Sequence, residues 1–324
     1  MSSGDVKGKT KVSLVMPAYN EADGIIGTLT EIDRVLSGRP DYAWELVVIN
    51  DGSADATLEL AYSYRPVGYV LVVVDLSRNF GKEAALSAGL SVASGDAVVP
   101  LDADLQDPPE LIFEMLPLWE SGAEVVLARR SDRSTDGFMK RKTASAFYHT
   151  INRISEVSIP ENVGDFRLMD RIVVDTIKRL PENRRFMKGL FAWAGFRTVT
   201  VEYRRPERVS GETKFNGVRL VNLAMEGITS FSTVPLRIAS YLGALVALGA
   251  LIFGVYVVLH TLIWGIEVPG YASMVSLVAF LSGIQLLAIG VIGEYVGRIY
   301  LESKSRPAYV IRDKRLIDSQ EGGT

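Results

Sequence analysis

The amino-acid sequence predicts an α/β protein with a mainly parallel sheet, followed by two membrane-spanning helices. Three observations point there. Residues 12–128 alternate short β-branched runs with amphipathic stretches, each run ends in a polar or glycine-containing turn, and the excess apolarity is gathered into two long uncharged runs. Candidate strands are Val12–Met16, Glu45–Asn50, Val70–Leu76, Ala97–Leu101 and Glu124–Ala128, all short and rich in Val, Leu and Ile. Between them, Ala22–Leu36, Asp55–Tyr64, Lys82–Ala93 and Pro109–Ser121 read as helices. Strand and helix alternation implies a parallel sheet, and ligands of such sheets bind at the carboxyl ends of the strands.

The runs Ile238–Ile266 and Val268–Gly293 contain no Asp, Glu, Lys or Arg, and Glu267 alone separates them. As helices each reaches about 40 Å, against a hydrocarbon core of roughly 30 Å, so both are expected to span. The connection Trp264–Tyr271 (WGIEVPGY) suits a tight turn at a membrane surface. Arg237 precedes the first run, and Arg298, Lys304, Arg306, Arg312, Lys314 and Arg315 follow the second, which places both outer ends in the cytoplasm. Residues 1–11 contain no apolar signal segment, so the N-terminal part is expected to stay cytoplasmic. The expected organisation is a cytoplasmic domain over 1–217, an interfacial amphipathic helix over 218–235, a two-helix hairpin over 236–297 and a basic cytoplasmic tail over 298–324. That is a cytoplasmic (inner) membrane protein with two spans and both termini inside. Gly243, Gly249, Gly283 and Gly290 would let the hairpin pack against copies of itself as a homo-oligomer.

Composition removes several functions. With 35 Lys+Arg against 38 Asp+Glu, the net charge of −3 offers no field for nucleic acid. Zero cysteines exclude disulfides, thiolate chemistry and cysteine-ligated zinc. Only His149 and His260 are present, which argues against a histidine metal centre or a Ser-His-Asp triad, so any metal is held by oxygen. Neither G-x-G-x-x-G nor G-x-x-x-x-G-K-[ST] occurs, which disfavours a dinucleotide dehydrogenase and a P-loop NTPase.

The strand exits are all polar: PAYNE (17–21), NDGSAD (50–55), LSRNFGK (76–82), LDADLQDPPE (101–110) and ARR (128–130). If residues 102–106 are extended, Asp102, Asp104 and Gln106 present oxygens to one side, where Mg²⁺ or Mn²⁺ would bridge to substrate phosphates. The alternative is a solvated acidic turn. Asp51 either accepts bonds from a base or ribose or begins an Asp-Gly turn with Asp55 capping the next helix. Pro17–Glu21 is either a pocket wall or only a strand exit.

Taken together, VSLVMPAYNEADGI, VINDGSADAT, SRNFGKEAALSAGL and PLDADLQDPPE resemble glycosyltransferase family 2 in order and spacing. The resemblance continues through GDFRLMDR (164–171), ENRRFMKGLFAWAGF (182–196) and RRPERVSGETKFN (204–216), and then the two spans. It looks like the polyisoprenyl-phosphate glycosyltransferase branch, similar to bactoprenol glucosyltransferases and more distantly to dolichyl-phosphate mannose synthase. It implies a GT-A type nucleotide-diphospho-sugar transferase fold and inverting transfer of one sugar to polyisoprenyl (undecaprenyl) phosphate. UDP-glucose is the first choice of donor, with GDP-mannose or a modified UDP-sugar, as for mannosyl or aminoarabinosyl transfer, as the alternative. By the same resemblance Pro17, Tyr19, Glu21, Asp51, Lys82, Asp102 and Arg129 bind the nucleotide sugar, and Asp102, Asp104 and Gln106 bind Mg²⁺ or Mn²⁺. Asp165 matches the proposed catalytic base, and Arg208, Lys214 and, more weakly, Arg141 match groups around the phosphates. The Q-x-x-R-W signature of processive synthases is absent, which favours single transfer.

Further segments stay open at this level. The basic stretch 204–219 either contacts the acceptor phosphate or attracts anionic lipid generally, and Val218–Val234 reads as an interfacial helix or as a core helix. Arg184, Arg185 and Trp193 either shape an acceptor entrance or form a solvated face. A translocase is disfavoured because neither run contains Asp, Glu, Lys or Arg and His260 is their only histidine, and a catalytically dead sensor because Asp102, Asp104 and Asp165 are intact.

Overall fold

The computed structural model describes residues 9–131, 163–182, 185, 187–203, 232–265 and 270–317. Among these residues one eight-stranded sheet forms, with strand order β7-β5-β6-β4-β1-β2-β3-β8. Its strands are β1 (Lys11–Ala18), β2 (Ala43–Asn50), β3 (Tyr69–Leu76), β4 (Ala97–Pro100), β5 (Val125–Arg130), β6 (Val163–Asp170), β7 (Thr198–Tyr203) and β8 (Ile311–Ile317). The helices are α1 (Ile25–Leu36), α2 (Thr57–Ser63), α3 (Lys82–Val92), α4 (Ile112–Glu120), α5 (Arg171–Arg179), α6 (Met187–Trp193), α7 (Val234–Trp264) and α8 (Tyr271–Ser303). Every strand and helix expected over 12–128 is present. β6 and β8 run against the other strands.

The inner strands are continuous apolar runs because helices cover both faces of the sheet. Val12–Met16 and Trp44–Asn50 are buried throughout. α1 lays Ile25, Leu29, Ile32 and Leu36 against the sheet at helical spacing. α3 packs closest: a Cβ on Gly89 would come within 2.3 Å of the Val15 side chain and 2.6 Å of Ile49.

At the amino ends of β1 and β2 lies a buried carboxylate. Glu45 accepts bonds from the Ser13 hydroxyl, the Ser94 backbone N–H (2.8 Å) and hydroxyl (2.7 Å), and the Lys11 ammonium (2.9 Å). Burial disfavours its charge, but these donors outweigh it and hold the carboxyl below its usual range.

Two findings lie outside the expected plan. β6 inserts antiparallel between β4 and β5, so its start lies at the same rim as their carboxyl ends. The stretch read as a basic tail begins inside α8 and then supplies β8, which pairs antiparallel with β3. An edge strand has one neighbour only, so it tolerates the charged sequence IRDKRLI and lacks the apolar run of an inner strand.

α7 and α8 form a unit of their own, whereas β8 belongs to the unit of the sheet. Both helices are long and apolar enough to cross a membrane, their most apolar 18-residue stretches having a mean hydropathy of 2.6 within Val234–Trp264 and 2.1 within Ser276–Ser303. Leu245, Leu251, Leu262 and Leu287 on them are exposed, unlike the side chains of a core helix. Within this unit the Tyr295 hydroxyl donates to the Ser232 carbonyl at 2.7 Å. The expected interfacial helix lies, up to Phe231, outside the described residues.

Candidate active site

The first two strand exits are stitched to one another. The Asn20 N–H donates to Ser53 Oγ (3.0 Å), the Ala54 N–H to Asn20 Oδ1 (2.9 Å), and the Glu21 N–H to Thr57 Oγ1 (2.8 Å). Asp55 accepts from the N–H groups of Ala22 and Thr57, while Ala56 occupies the N-cap position of α2. The stitching leaves Tyr19 exposed above the rim and Glu21 partly buried. Burial, together with the charges of Asp104 and Asp55, raises the Glu21 carboxyl above its usual range. Pro17 is the penultimate residue of β1, in register with Ile49.

Asp51 is buried and clamps the next loop. Its two oxygens accept the backbone N–H groups of Phe80 (2.8 Å) and Gly81 (2.9 Å), yet burial still lifts its pKa. Gly52 has φ +64°, and a Cβ there would stand 2.3 Å from the Arg78 carbonyl carbon. Only glycine allows these two loops to meet so closely. Asp51 is thus a loop clamp.

The acidic loop after β4 differs from its expectation. β4 ends at Pro100, and residues 102–106 form a turn with Leu105 at φ +45°, so the alternation argument for Asp102, Asp104 and Gln106 does not hold. The turn is set by packing: Ala103 is buried and its carbonyl accepts the Thr28 hydroxyl of α1 at 2.7 Å. Asp104 accepts from both the backbone and the side-chain amide of Gln106. Asp102 turns the other way, toward Lys82.

Lys82, the first residue of α3, bridges two acids. Its ammonium stands 2.7 Å from Asp102 Oδ1 and 2.8 Å from Asp165 Oδ2. Burial disfavours that charge, but Asp165 and Asp102 overcome the penalty and raise the Lys82 pKa. For Asp102 the balance is reversed: burial, with Asp165 and Asp104 adding repulsion, lifts the carboxyl despite Lys82.

Asp165 reaches this point because β6 starts at the rim. Behind it Arg167, fully buried, donates to the Gly164 carbonyl at 2.8 Å and lies 4.2 Å over the Phe191 ring. Burial pushes its pKa down to about 10, against the pull of Asp165. The acidic loop has a second anchor in Asp107, buried, which accepts from the Tyr203 hydroxyl and pairs with Arg130 at 3.5 Å. Sequence reasoning missed Arg167, and assigned Asp107, Arg130 and Tyr203 no role. The Arg in GDFRLMDR was the one local signal.

Arg129 is exposed at the end of β5. Arg185 donates to the carbonyls of Leu180 and Glu182, so it closes the end of α5, while Trp193 is exposed. Arg141, Arg184, Arg208 and Lys214 lie outside the described residues.

The family model for glycosyl transferase family 2 matches residues 13–178, which include the whole acidic rim. The chain belongs to glycosyltransferase family 2. A second model, the GtrB C-terminal hairpin, matches residues 234–299. The prophage bactoprenol glucosyl transferase homolog of Escherichia coli K12 is 52% identical over 93% of this chain and 98% of that protein. The bactoprenol glucosyl transferase of Shigella phage SfV is 52% identical over 94% and 99%. Among solved structures, mannosyl-3-phosphoglycerate synthase from Rubrobacter xylanophilus has a TM-score of 0.45 at 23% identity, covering 67% of this chain and 71% of that one.

As a family 2 glycosyltransferase, the chain carries a GT-A type α/β domain whose rim has hard oxygen donors and a surplus of acid. Asp102, Asp104, Asp165 and Glu21 lie together, and Lys82 is the cation that pairs with Asp102 and Asp165. Repulsion among these carboxylates fits a divalent cation of the Mg²⁺ or Mn²⁺ kind, and Asp102 and Asp104, here turned to Lys82 and Gln106, are the residues that would hold it. Among the described residues no three acidic or histidine groups already form a metal cage. Water and substrate phosphates would complete the coordination, as is usual for Mg²⁺.

Proposed function

We propose that this family 2 enzyme transfers one glucose from UDP-glucose, with inversion, to undecaprenyl phosphate at the cytoplasmic face of the membrane. The observation that carries it is the 52% identity with bactoprenol glucosyl transferases across almost the whole chain, hairpin included.

In this reading a phosphate oxygen of the lipid attacks the anomeric carbon, a new carbon–oxygen bond forms, and the bond to the UDP oxygen breaks on the opposite side. A divalent cation held by Asp102 and Asp104, when bound, would neutralise charge on the departing diphosphate. The nucleotide lies over the exits of β1 and β2, between Tyr19, Glu21 and Asp51. Lys82 holds Asp165 and Asp102 beside each other, so the groups proposed for acceptor and donor share one positioning cation. Arg129, Arg208, Lys214 and Arg141 are assigned to the phosphates by the resemblance alone.

A phosphate monoester with a second pKa near 6 is mostly dianionic at neutral pH and hardly needs a base. Asp165 therefore orients the acceptor or takes a residual proton. Asp165→Asn should be more impaired at pH 6 than under alkaline conditions, and an equal deficit in rate across pH would reject this role.

The proposed topology has two spans with both outer ends in the cytoplasm. The chain leaves the sheet before α7 and rejoins it as β8, which supports an even number of crossings. The deciding assay incubates purified protein with undecaprenyl phosphate, Mg²⁺ or Mn²⁺ and labelled nucleotide sugars. Label should enter the organic phase from UDP-glucose, and should be lost with chelator or with Asp104→Ala. Preferential use of GDP-mannose would overturn the donor assignment.

A further inference from the structure

The strand that follows the membrane spans reaches back to the nucleotide pocket. β8 pairs with β3 from Leu71↔Ile317 to Asp75↔Asp313, and the ladder then slips before Leu76↔Ile311. At the slip Arg312 turns onto the sheet. Its guanidinium stands 3.3 Å from Asp75 Oδ2 and donates to the Ser77 carbonyl at 2.5 Å, while the Ser77 N–H donates to the Val310 carbonyl at 2.9 Å.

Asp75 is only 4% exposed and passes the contact on. Its other oxygen accepts the Asn50 amide at 2.7 Å, and Asn50 in turn accepts the Ser53 N–H at 3.3 Å. Asn50 and Ser53 flank Asp51 and Gly52, and the loop after Ser77 supplies the Phe80 and Gly81 N–H groups that Asp51 binds. One arginine therefore touches the root of the 77–81 loop directly and reaches the root of the 50–53 loop through Asp75. β8 also grips the helix after the first loop: the Tyr62 hydroxyl donates to Asp313 at 3.2 Å, and the Arg315 guanidinium lies 4.1 Å over the Tyr62 ring.

We propose that Arg312 is a positioning residue for the donor nucleotide, holding the 50–53 and 77–81 loops in register through Asp75 and Asn50. The inference rests on the donor reading above for its ligand, though not for its geometry. An ordinary exposed ion pair contributes little. Here one partner is a buried carboxylate, so loss of the arginine leaves a charge that the loops must rearrange to solvate.

The test uses the full chain in detergent or nanodiscs, with Arg312→Gln, Arg312→Lys, Asp75→Asn and the double variant. Amide hydrogen exchange without ligand reads the loops directly. Arg312→Gln should speed exchange at Ser53, Phe80 and Gly81 roughly tenfold, with β1 and β4 unchanged. UDP should bind roughly five- to tenfold more weakly, the KM for undecaprenyl phosphate should hold, and kcat should change little. Arg312→Lys should recover most of the loss. The double variant should be no worse than Asp75→Asn alone.

Unchanged exchange in both loops overturns the proposal. So does exchange that quickens evenly across the sheet, because that marks general destabilisation. Loosened loops with unaltered UDP affinity overturn it as well. If the unmodified chain binds no UDP, the donor reading fails, and the exchange data alone then decide whether Arg312 braces the loops. Should Arg312→Gln not fold, Asp75→Asn and Arg312→Lys carry the same measurements.

Discussion

At the amino ends of β1 and β2, Glu45 is surrounded by donors from Ser13, Ser94 and Lys11, and its carboxyl titrates below the usual range. At the carboxyl ends of strands in the same sheet, Asp102, Asp51 and Glu21 all titrate above it, with burial as the leading cause. One end is complete without a ligand. The other holds acids whose charged forms the protein alone does not fully compensate, as expected where a cation and a nucleotide are to supply the remaining interactions.

The sharpest way to break this comparison is at the uncompensated end. Asp102→Asn should lower glucosyl transfer by roughly a thousandfold, measured as label in the organic phase. The melting temperature should barely move, since Lys82 keeps Asp165 as partner. A large fall in melting temperature would show that Asp102 is structural like Glu45.

Lys82→Met should follow at roughly a hundredfold in kcat/KM. Lys82 lowers the Asp102 pKa, so its loss leaves two neighbouring carboxylates that raise one another's. The acid limb of the pH–rate profile should therefore move to higher pH. A limb that stays in place would separate Lys82 from both acids.

At the compensated end the pattern should invert. Glu45→Gln should cost about 2–4 kcal/mol of stability at pH 7 by denaturant titration, with kcat within about twofold. The Glu45 pKa is lowered in the fold, so its contribution is present above the unfolded value of 4.5 and is lost as pH falls through the folded one. The gap between wild type and variant should close below pH 4.5. The smallest effect belongs to Tyr203→Phe, which removes a donor from buried Asp107 and should cost about 1–2 kcal/mol.

Much of this was legible in the sequence because inner parallel strands are apolar on both faces and their exits are polar. Glu21, Asp51, Asp102 and Asp104 stood out as exits of apolar runs. Asp165 did not; its assignment came from family resemblance, because β6 reaches the rim only by antiparallel insertion. β8 was read as tail because an edge strand needs no apolar run.

Composition, hydropathy and strand-exit chemistry by themselves determined the α/β class, the two candidate spans and that any metal is held by oxygen, while the family came from the resemblance of motifs in their order and spacing. Tertiary structure alone decided which side chains complete the rim: Lys82 between Asp102 and Asp165, Arg167 behind Asp165, Tyr203 and Arg130 on Asp107, Arg312 on Asp75. The reason is physical. Burial and periodicity are recorded in neighbouring residues, whereas contacts such as Lys82–Asp165, Tyr203–Asp107 and Arg312–Asp75 join residues far apart in the chain and leave no local trace until the sheet brings the partners within hydrogen-bond distance.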